Sequence, residues 1–218
     1  MDTVRNIILY APAVLLSIVL HEFMHGYVAD KLGDPTPRRA GRLTLNPLNH
    51  IDPIGTIILP AFLLIVTRGQ VVFGWAKPVP INPMNTLNPK RTMGLTAIAG
   101  PLTNFGLAVI CTIFLKIISF AGSLHIIGWI MKPIAIMFFG GLVINVVLFV
   151  FNFIPIPPLD GGRVLVWLLP DEQARAVARL EPYGMFIIFG MLFLDSRLNV
   201  NILVRMINTI ISIFLWFA

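Results

Sequence analysis

The sequence is short of charge and of cysteine. Only 12% of its 218 residues are Asp, Glu, Lys or Arg, about half the share of an ordinary soluble domain. Cys111 is the single cysteine, which excludes a disulfide framework within the chain and a thiolate zinc cluster. Any metal must then be held by His, Asp or Glu, and histidine is itself scarce, with four in the chain. Acid is scarcer than base, 10 Asp and Glu against 16 Lys and Arg, for a net charge of +6. Most of the basic residues sit in loops between apolar segments, and they form no interleaved patch. They read as a topology signal in contact with anionic lipid headgroups, not as a nucleic-acid surface.

What is abundant is apolar. The chain is 57% hydrophobic with a mean hydropathy of +0.87, which points to a polytopic membrane protein. Crossing the hydrocarbon core takes about 20 apolar residues in a helix. By that measure a first helix is expected from Val4 to Val28. Its apolar run, Ile7 to Leu20, has no small-residue cleavage site before the polar residues begin, so it reads as a retained helix and the mature chain is expected to start at Met1. "PIGTIILPAFLLIV", residues 53–66, is short and interrupted by Gly55 and Pro60, a bent helix or a re-entrant element. Residues 96–120 and 128–153 are each long enough to cross, and the short connection Ala121 to Ile127 makes them antiparallel neighbours. After "LDGG", Asp171 and Glu172 sit where a helix N-terminus prefers negative charge, and one or two more membrane segments close the chain. The expected fold class is an all-α polytopic membrane protein of about five to six membrane segments, with a re-entrant, partly β-like loop between the first and third. It is read as one domain over residues 1–218, with a core at 4–163 and C-terminal membrane segments at 171–218.

Charge orients these pieces. The connection Lys31 to Asp52 holds Lys31, Arg38, Arg39 and Arg42; Arg68 to Arg91 holds Arg68, Lys77, Lys90 and Arg91; and Arg163, Arg175 and Arg179 follow Gly162. Ala121 to Ile127 holds none. If Lys and Arg mark the cytoplasmic face, the three basic connections lie inside. The segment between the first two must then return to the side it left, as residues 53–66 and the Pro-rich "VVFGWAKPVPINP" would in an inward-dipping hairpin. Irregular backbone at that depth must be buried in protein or line a water-filled cavity, so a polar cavity is expected on the cytoplasmic side.

One polar cluster interrupts the first helix. "SIVLHEFMHGYVAD", residues 17–30, contains H-E-x-x-H. His21 and His25 lie one turn apart on one helix face, where both can bind one zinc ion, and Glu22 between them can serve as general base toward an attacking water. Five residues with three fixed are a weak signal alone, and polar side chains also mark helix ends at the headgroup boundary. An ionisable residue inside a membrane segment is nevertheless a functional candidate. A catalytic zinc usually takes three protein ligands. The candidates for the third are Asp160, His50, His125 and the acidic residues of the loops. His125 falls in the outer connection. Asp160 ends "NFIPIPPLDGG", where Pro155, Pro157 and Pro158 prevent ordinary helix and Gly161 and Gly162 permit close backbone approach. A capping Asp at a helix-to-loop turn is the plainer alternative. His50 is either a further metal ligand or a structural hydrogen-bonding residue, and Trp75 either an interfacial anchor or a substrate contact.

These residues together resemble the site-2 protease family of intramembrane zinc metalloproteases. The resemblance spans about Ser17 to Val28 and Ala99 to Arg163, and "AGPLTN", residues 99–104, resembles the start of the helix between the two metal-binding ones. It implies one zinc ion held by His21, His25 and Asp160, with Glu22 as the catalytic base. Asn152, eight residues before Asp160, matches a family position associated with binding substrate or stabilising the oxyanion. It further implies cleavage of transmembrane segments of single-span membrane proteins within the bilayer, at a site facing the cytoplasm of a prokaryotic cell membrane. "WAKPVPI" would pair edge to edge with an unwound substrate strand. The sequence departs from larger members in having no PDZ domain between the metal motifs and in the added stretch "NPLNHIDPIGTIILPAFLLIV". Two other readings stand beside this one: a metal transporter whose His and Asp residues form a translocation site, and a protease-like scaffold that only binds membrane segments.

Overall fold

The computed structural model describes residues 2–67, 74–122 and 128–218. Every regular element among these residues is helical. Helix α1 is Asp2–Lys31, α2 the short Thr36–Arg39, α3 Leu59–Val66, α4 Pro89–Gly122 and α5 Gly128–Asn152. Helices α6 (Asp160–Leu168), α7 (Asp171–Ala178), α8 (Gly184–Arg197) and α9 (Ile202–Phe217) follow. The connection 123–127, with His125, and the basic residue Arg68 lie outside the described residues.

Among the described residues, four helical stretches are long and apolar enough to cross a membrane: Leu9–Lys31, Pro89–Phe120, Met131–Asn152 and Asp171–Asp195. Pro53–Val66 and Ile202–Phe217 are shorter apolar helices, so the expected five to six segments resolve into four of spanning length and two that are not. The fourth stretch starts at the polar α7, with Asp171 and Glu172 in its first turn as anticipated. Side chains such as Leu16, Ile113 and Phe120 are exposed along α1 and α4; a water-facing helix would carry polar groups there. Composition and length together mark a membrane protein. Helix α4, at 34 residues, is about 51 Å long at 1.5 Å per residue, well beyond a hydrocarbon core of about 30 Å.

Helices α4 and α5 pack antiparallel: Phe114 stacks on Phe138 near one end and Phe105 meets Phe149 near the other. The apolar core between them is Ala108, Cys111, Leu142, Val146 and Val150. Helix α9 closes over it with Leu203, Ile207, Ile210, Ile211 and Phe214, a spacing that puts all five on one face of a helix. Helix α1 packs against both α4 and α5, and α6 lies against α4.

Residues 53–58 form a wide helical turn that leads into α3, so the segment interrupted by Gly55 and Pro60 is helical throughout. The stretch expected to be β-like makes no strand among the described residues. The reason is its proline spacing. Pro78 and Pro80 have no amide hydrogen to give, and the donors left at alternate positions go to three separate partners: Trp75 N to Gly55 O (3.1 Å), Lys77 N to His50 O (2.9 Å) and Val79 N to the Glu22 carboxylate (2.9 Å). The strand period survives without a neighbouring strand.

The same stretch is clamped to the end of α1. Gly33, at φ +105°, closes that helix with Asp34 N bonding Ala29 O and Gly33 N bonding Asp30 O, the paired bonds of a Schellman ending. Asp34, fully buried, then accepts from Thr36 N, Thr36 Oγ1, Asn82 N and Asn85 Nδ2. Burial pushes its carboxyl pKa up, but these donors outweigh it and hold the group below its ordinary value. Arg42, also buried, donates to the carbonyls of Lys77 and Pro78.

Candidate metal centre

His21 and His25 are on α1 and Asp160 is the first residue of α6, 135 positions beyond His25. The fold brings the three together. Among the described residues they form the one cluster of three or more His, Cys, Asp and Glu side chains able to hold a metal. The two Nε2 atoms are 2.9 Å apart, and each is 3.2 Å from Asp160 Oδ2. All three side chains are buried. Two lone-pair-bearing nitrogens and a carboxylate oxygen packed this closely repel one another unless a cation sits among them.

The triangle suits zinc. Ligands about 2.0–2.1 Å from a tetrahedral ion lie about 3.3–3.4 Å from each other, so edges of 2.9, 3.2 and 3.2 Å need an expansion of only a few tenths of an ångström. Each imidazole is oriented from its far nitrogen: His21 Nδ1 bonds Asn104 Oδ1 at 2.6 Å, and His25 Nδ1 bonds Thr96 O at 2.7 Å. This is the outer support that metal-binding histidines ordinarily have. Burial pushes the Asp160 carboxyl pKa up, yet hydrogen bonds and attraction from the two imidazoles more than offset it and hold the group well below its usual range.

Local sequence explains how α6 delivers its carboxylate. The chain breaks after α5, and "FIPIPPL" folds back on the start of α6. A Cβ at Gly161 would run into Phe153 O and Ile154 O, and one at Gly162 into Pro157 N. Only glycine fits at both. On the opposite wall, Gly100 of α4 faces the imidazoles: a Cβ there would lie 2.5 Å from His25 Cε1 and 2.6 Å from His21 Cε1.

The remaining sequence candidates separate. Glu22 is next to the triad and bonds the Val79 amide through Oε2. Asn152, half-buried at the end of α5, donates to Leu148 O in its own helix at 3.1 Å and not to the triad. His50 is buried elsewhere, with Nε2 at 2.9 Å from Thr44 O, and is not part of the cluster. Trp75 lies over Gly55. Sequence reasoning missed Gly100, Thr96, Asn104 and Asn145. The available signal was a polar residue inside an apolar run, as in "GLVINVVLFVF".

A cavity of about 210 Å³ opens beside His25, walled by Ile81, Met93, Thr96 and Pro157, with Arg163 and Glu181 also lining it. His21 and His25 on a helix of membrane length and Asp160 on the short α6 thus make a buried cluster that could hold a metal ion. Relatives named "Putative zinc metalloprotease" match the chain, three of them as follows. YwhC of Bacillus subtilis is 38% identical over 195 residues, 89% of this chain and 84% of its own length. Rip2 of Mycolicibacterium smegmatis is 33% identical over 205 residues, 91% and 73% of the two chains. MJ0611 of Methanocaldococcus jannaschii is 32% identical over 157 residues, 71% and 68%. No family model matches the chain, and no solved structure matches it significantly. The chain belongs to the family of these zinc metalloproteases, consistent with the compact site-2 protease that its motifs resemble.

Proposed function

We propose that the protein is a zinc-dependent endopeptidase that cleaves transmembrane segments of single-span membrane proteins within the bilayer. The observation that carries this reading is the His21, His25, Asp160 triangle, buried between helices of membrane length with Glu22 beside it. When bound, one zinc ion would polarise the scissile carbonyl and acidify a water. His21, His25 and Asp160 would hold it. Glu22 takes the proton of the attacking water and returns it to the leaving amine, using Oε1 while Oε2 stays with the Val79 amide. Asn152 turns its amide from Leu148 O to the developing oxyanion.

The substrate enters as unwound backbone, because an intact helix hides its amides. The cavity beside His25 takes it, with apolar walls for membrane-derived side chains and the Thr96 hydroxyl, buried without a partner in the structure, as a hydrogen-bonding group. Trp75 to Ile81 flanks it. With Pro78 and Pro80 lacking donors, that edge offers the substrate chiefly carbonyl acceptors. The basic residues at the ends of α1 and α4 favour a site open to the cytoplasm of a prokaryotic cell membrane, with residues 53–66 re-entering from that side.

The test compares the purified protein with Glu22→Gln, measuring bound zinc and cleavage of a panel of single-span membrane proteins. The native protein is expected to cut and the variant to bind zinc equally while losing about 10²–10⁴-fold in rate. Cleavage surviving in the variant removes Glu22 as base. Zinc binding with no cleavage by the native protein favours a transporter or a binding scaffold.

A further inference from the structure

Two amide side chains that the proposed reaction does not use lie inside the bundle. Asn104 of α4 has no exposed surface and Asn145 of α5 has 2%. They join α1, α4 and α5 in one chain of hydrogen bonds. Asn145 Nδ2 reaches Gly141 O and Ser17 Oγ, both at 2.8 Å, and Asn145 Oδ1 receives Asn104 Nδ2 at 2.8 Å. Asn104 Nδ2 also approaches Ser17 O at 3.5 Å, and Asn104 Oδ1 meets His21 Nδ1 at 2.6 Å. Ser17 Oγ spends its own hydrogen on Ala13 O at 2.7 Å.

This chain runs in one direction only. Gly141 O and Ala13 O are carbonyls and can only accept. Gly141 O therefore requires the nitrogen of the Asn145 amide on its side, and Ser17, its hydrogen already committed, requires the same. Asn145 must then turn its oxygen to Asn104. Asn104 must answer with its nitrogen, as the Ser17 carbonyl also demands, which leaves its oxygen for His21. An oxygen that can only accept requires a hydrogen on His21 Nδ1, so Nε2 is the nitrogen left to face Asp160 and a metal.

We propose that Asn104 and Asn145 are positioning residues that act through His21: the one-way chain anchored on Gly141 O and Ala13 O holds His21 as its Nδ1–H tautomer and aims Nε2 at the metal. Asn145 acts at one remove, touching neither the metal nor the histidine. The inference rests on the zinc reading of the triad, but the Nδ1 hydrogen it specifies is required with or without a metal.

The experiment uses the full chain in detergent. Nitrogen NMR of ¹⁵N-histidine-labelled, metal-free protein reads the His21 tautomer, and competition with a chromophoric chelator reads zinc affinity. Both are applied to the native protein, Asn104→Leu, Asn145→Leu and the double variant, with Asn145→Ser as a smaller replacement in case leucine prevents folding. The native protein is expected to show Nδ1–H. Each single variant is expected to lose that preference and about 10–100-fold in zinc affinity, and the double variant to lose little more than Asn104→Leu, because one chain is broken once. A native Nε2–H tautomer overturns the proposal without recourse to any variant. So do Asn145 variants with unchanged tautomer and affinity, or losses that add in the double variant. Should the native protein bind no zinc, the zinc reading fails while the tautomer still decides this inference.

Discussion

Replacing Gly100 with alanine adds one carbon to the wall of the site. Its Cβ would lie 2.5 Å from His25 Cε1 and 2.6 Å from His21 Cε1, about 1 Å inside ordinary carbon contact. Neither ring can swing freely, since His25 is held at Nδ1 by Thr96 O and His21 by Asn104 Oδ1. Something must give: overpacking costs about 1–3 kcal/mol, and breaking one buried hydrogen bond about 1–3 kcal/mol more. Together these correspond to a loss of about 30-fold or more in zinc affinity, at 1.4 kcal/mol per tenfold. Gly106→Ala supplies the control on the same helix. A Cβ there meets nothing within 4 Å, so zinc affinity should hold and the helix gain up to about 1 kcal/mol. Chelator competition and thermal unfolding measure both. Gly100→Ala retaining native zinc affinity to within about threefold would refute the reasoning, for it would mean that the rings do not stand where α4 confines them.

Asp160→Ala should reduce zinc affinity by about 100-fold or more, because losing even an outer partner of a ligand costs about 10–100-fold; chelator competition checks it. Asp34→Asn should loosen Asn82 and Asn85 from the end of α1 at a cost of about 2 kcal/mol, the lower range for bonds to a charged group, seen as faster amide exchange there. The Asp34 pKa is lowered on folding, so its contribution is complete above the unfolded value of about 3.9 and declines as pH falls through the folded value. Protection of those amides, relative to the intrinsic exchange rate at each pH, should therefore be unchanged from pH 7 to 5 and fall in stronger acid. Asn152→Ala should leave zinc affinity intact while slowing cleavage by about 10²–10³-fold; an equal fall in zinc affinity would give Asn152 a structural role at the triad.

The metal triad was the most legible part of the molecule. His21 and His25 share a helix face by their spacing and stand out because they interrupt an apolar run, and prolines 155, 157 and 158 followed by two glycines mark a rigid break aimed by close packing. Asp160 was one of several possible third ligands by spacing and was singled out by the family resemblance; the fold sets its oxygen 3.2 Å from both imidazoles. The pairing of Asn104 with Asn145 had no such signature. It joins positions on different helices, and nothing in the local spacing of either helix specifies which polar residue on the other will face it. "WAKPVPI" shows the period of a strand in its alternate prolines, but a ladder also needs a partner strand, and none lies beside it among the described residues. Pro53–Val66, already short in the sequence, and Ile202–Phe217 are apolar helices below spanning length.

The polar seam of Ser17, Asn104 and Asn145 has a consequence for assembly. In hydrocarbon, helices gain little from burying apolar surface against one another, and packing and polar contacts select their partners. An asparagine amide in the middle of α5 has nothing to bond in lipid except its own helix. Its remaining hydrogen and its oxygen find partners only when α1 and α4 arrive at the right depth and rotation. Sliding α5 by one turn, about 5.4 Å, would put Asn145 out of reach of both. The seam thus works as a key for the insertion of three otherwise slippery rods, and the register it sets is the one that presents His21 at the level of Asp160.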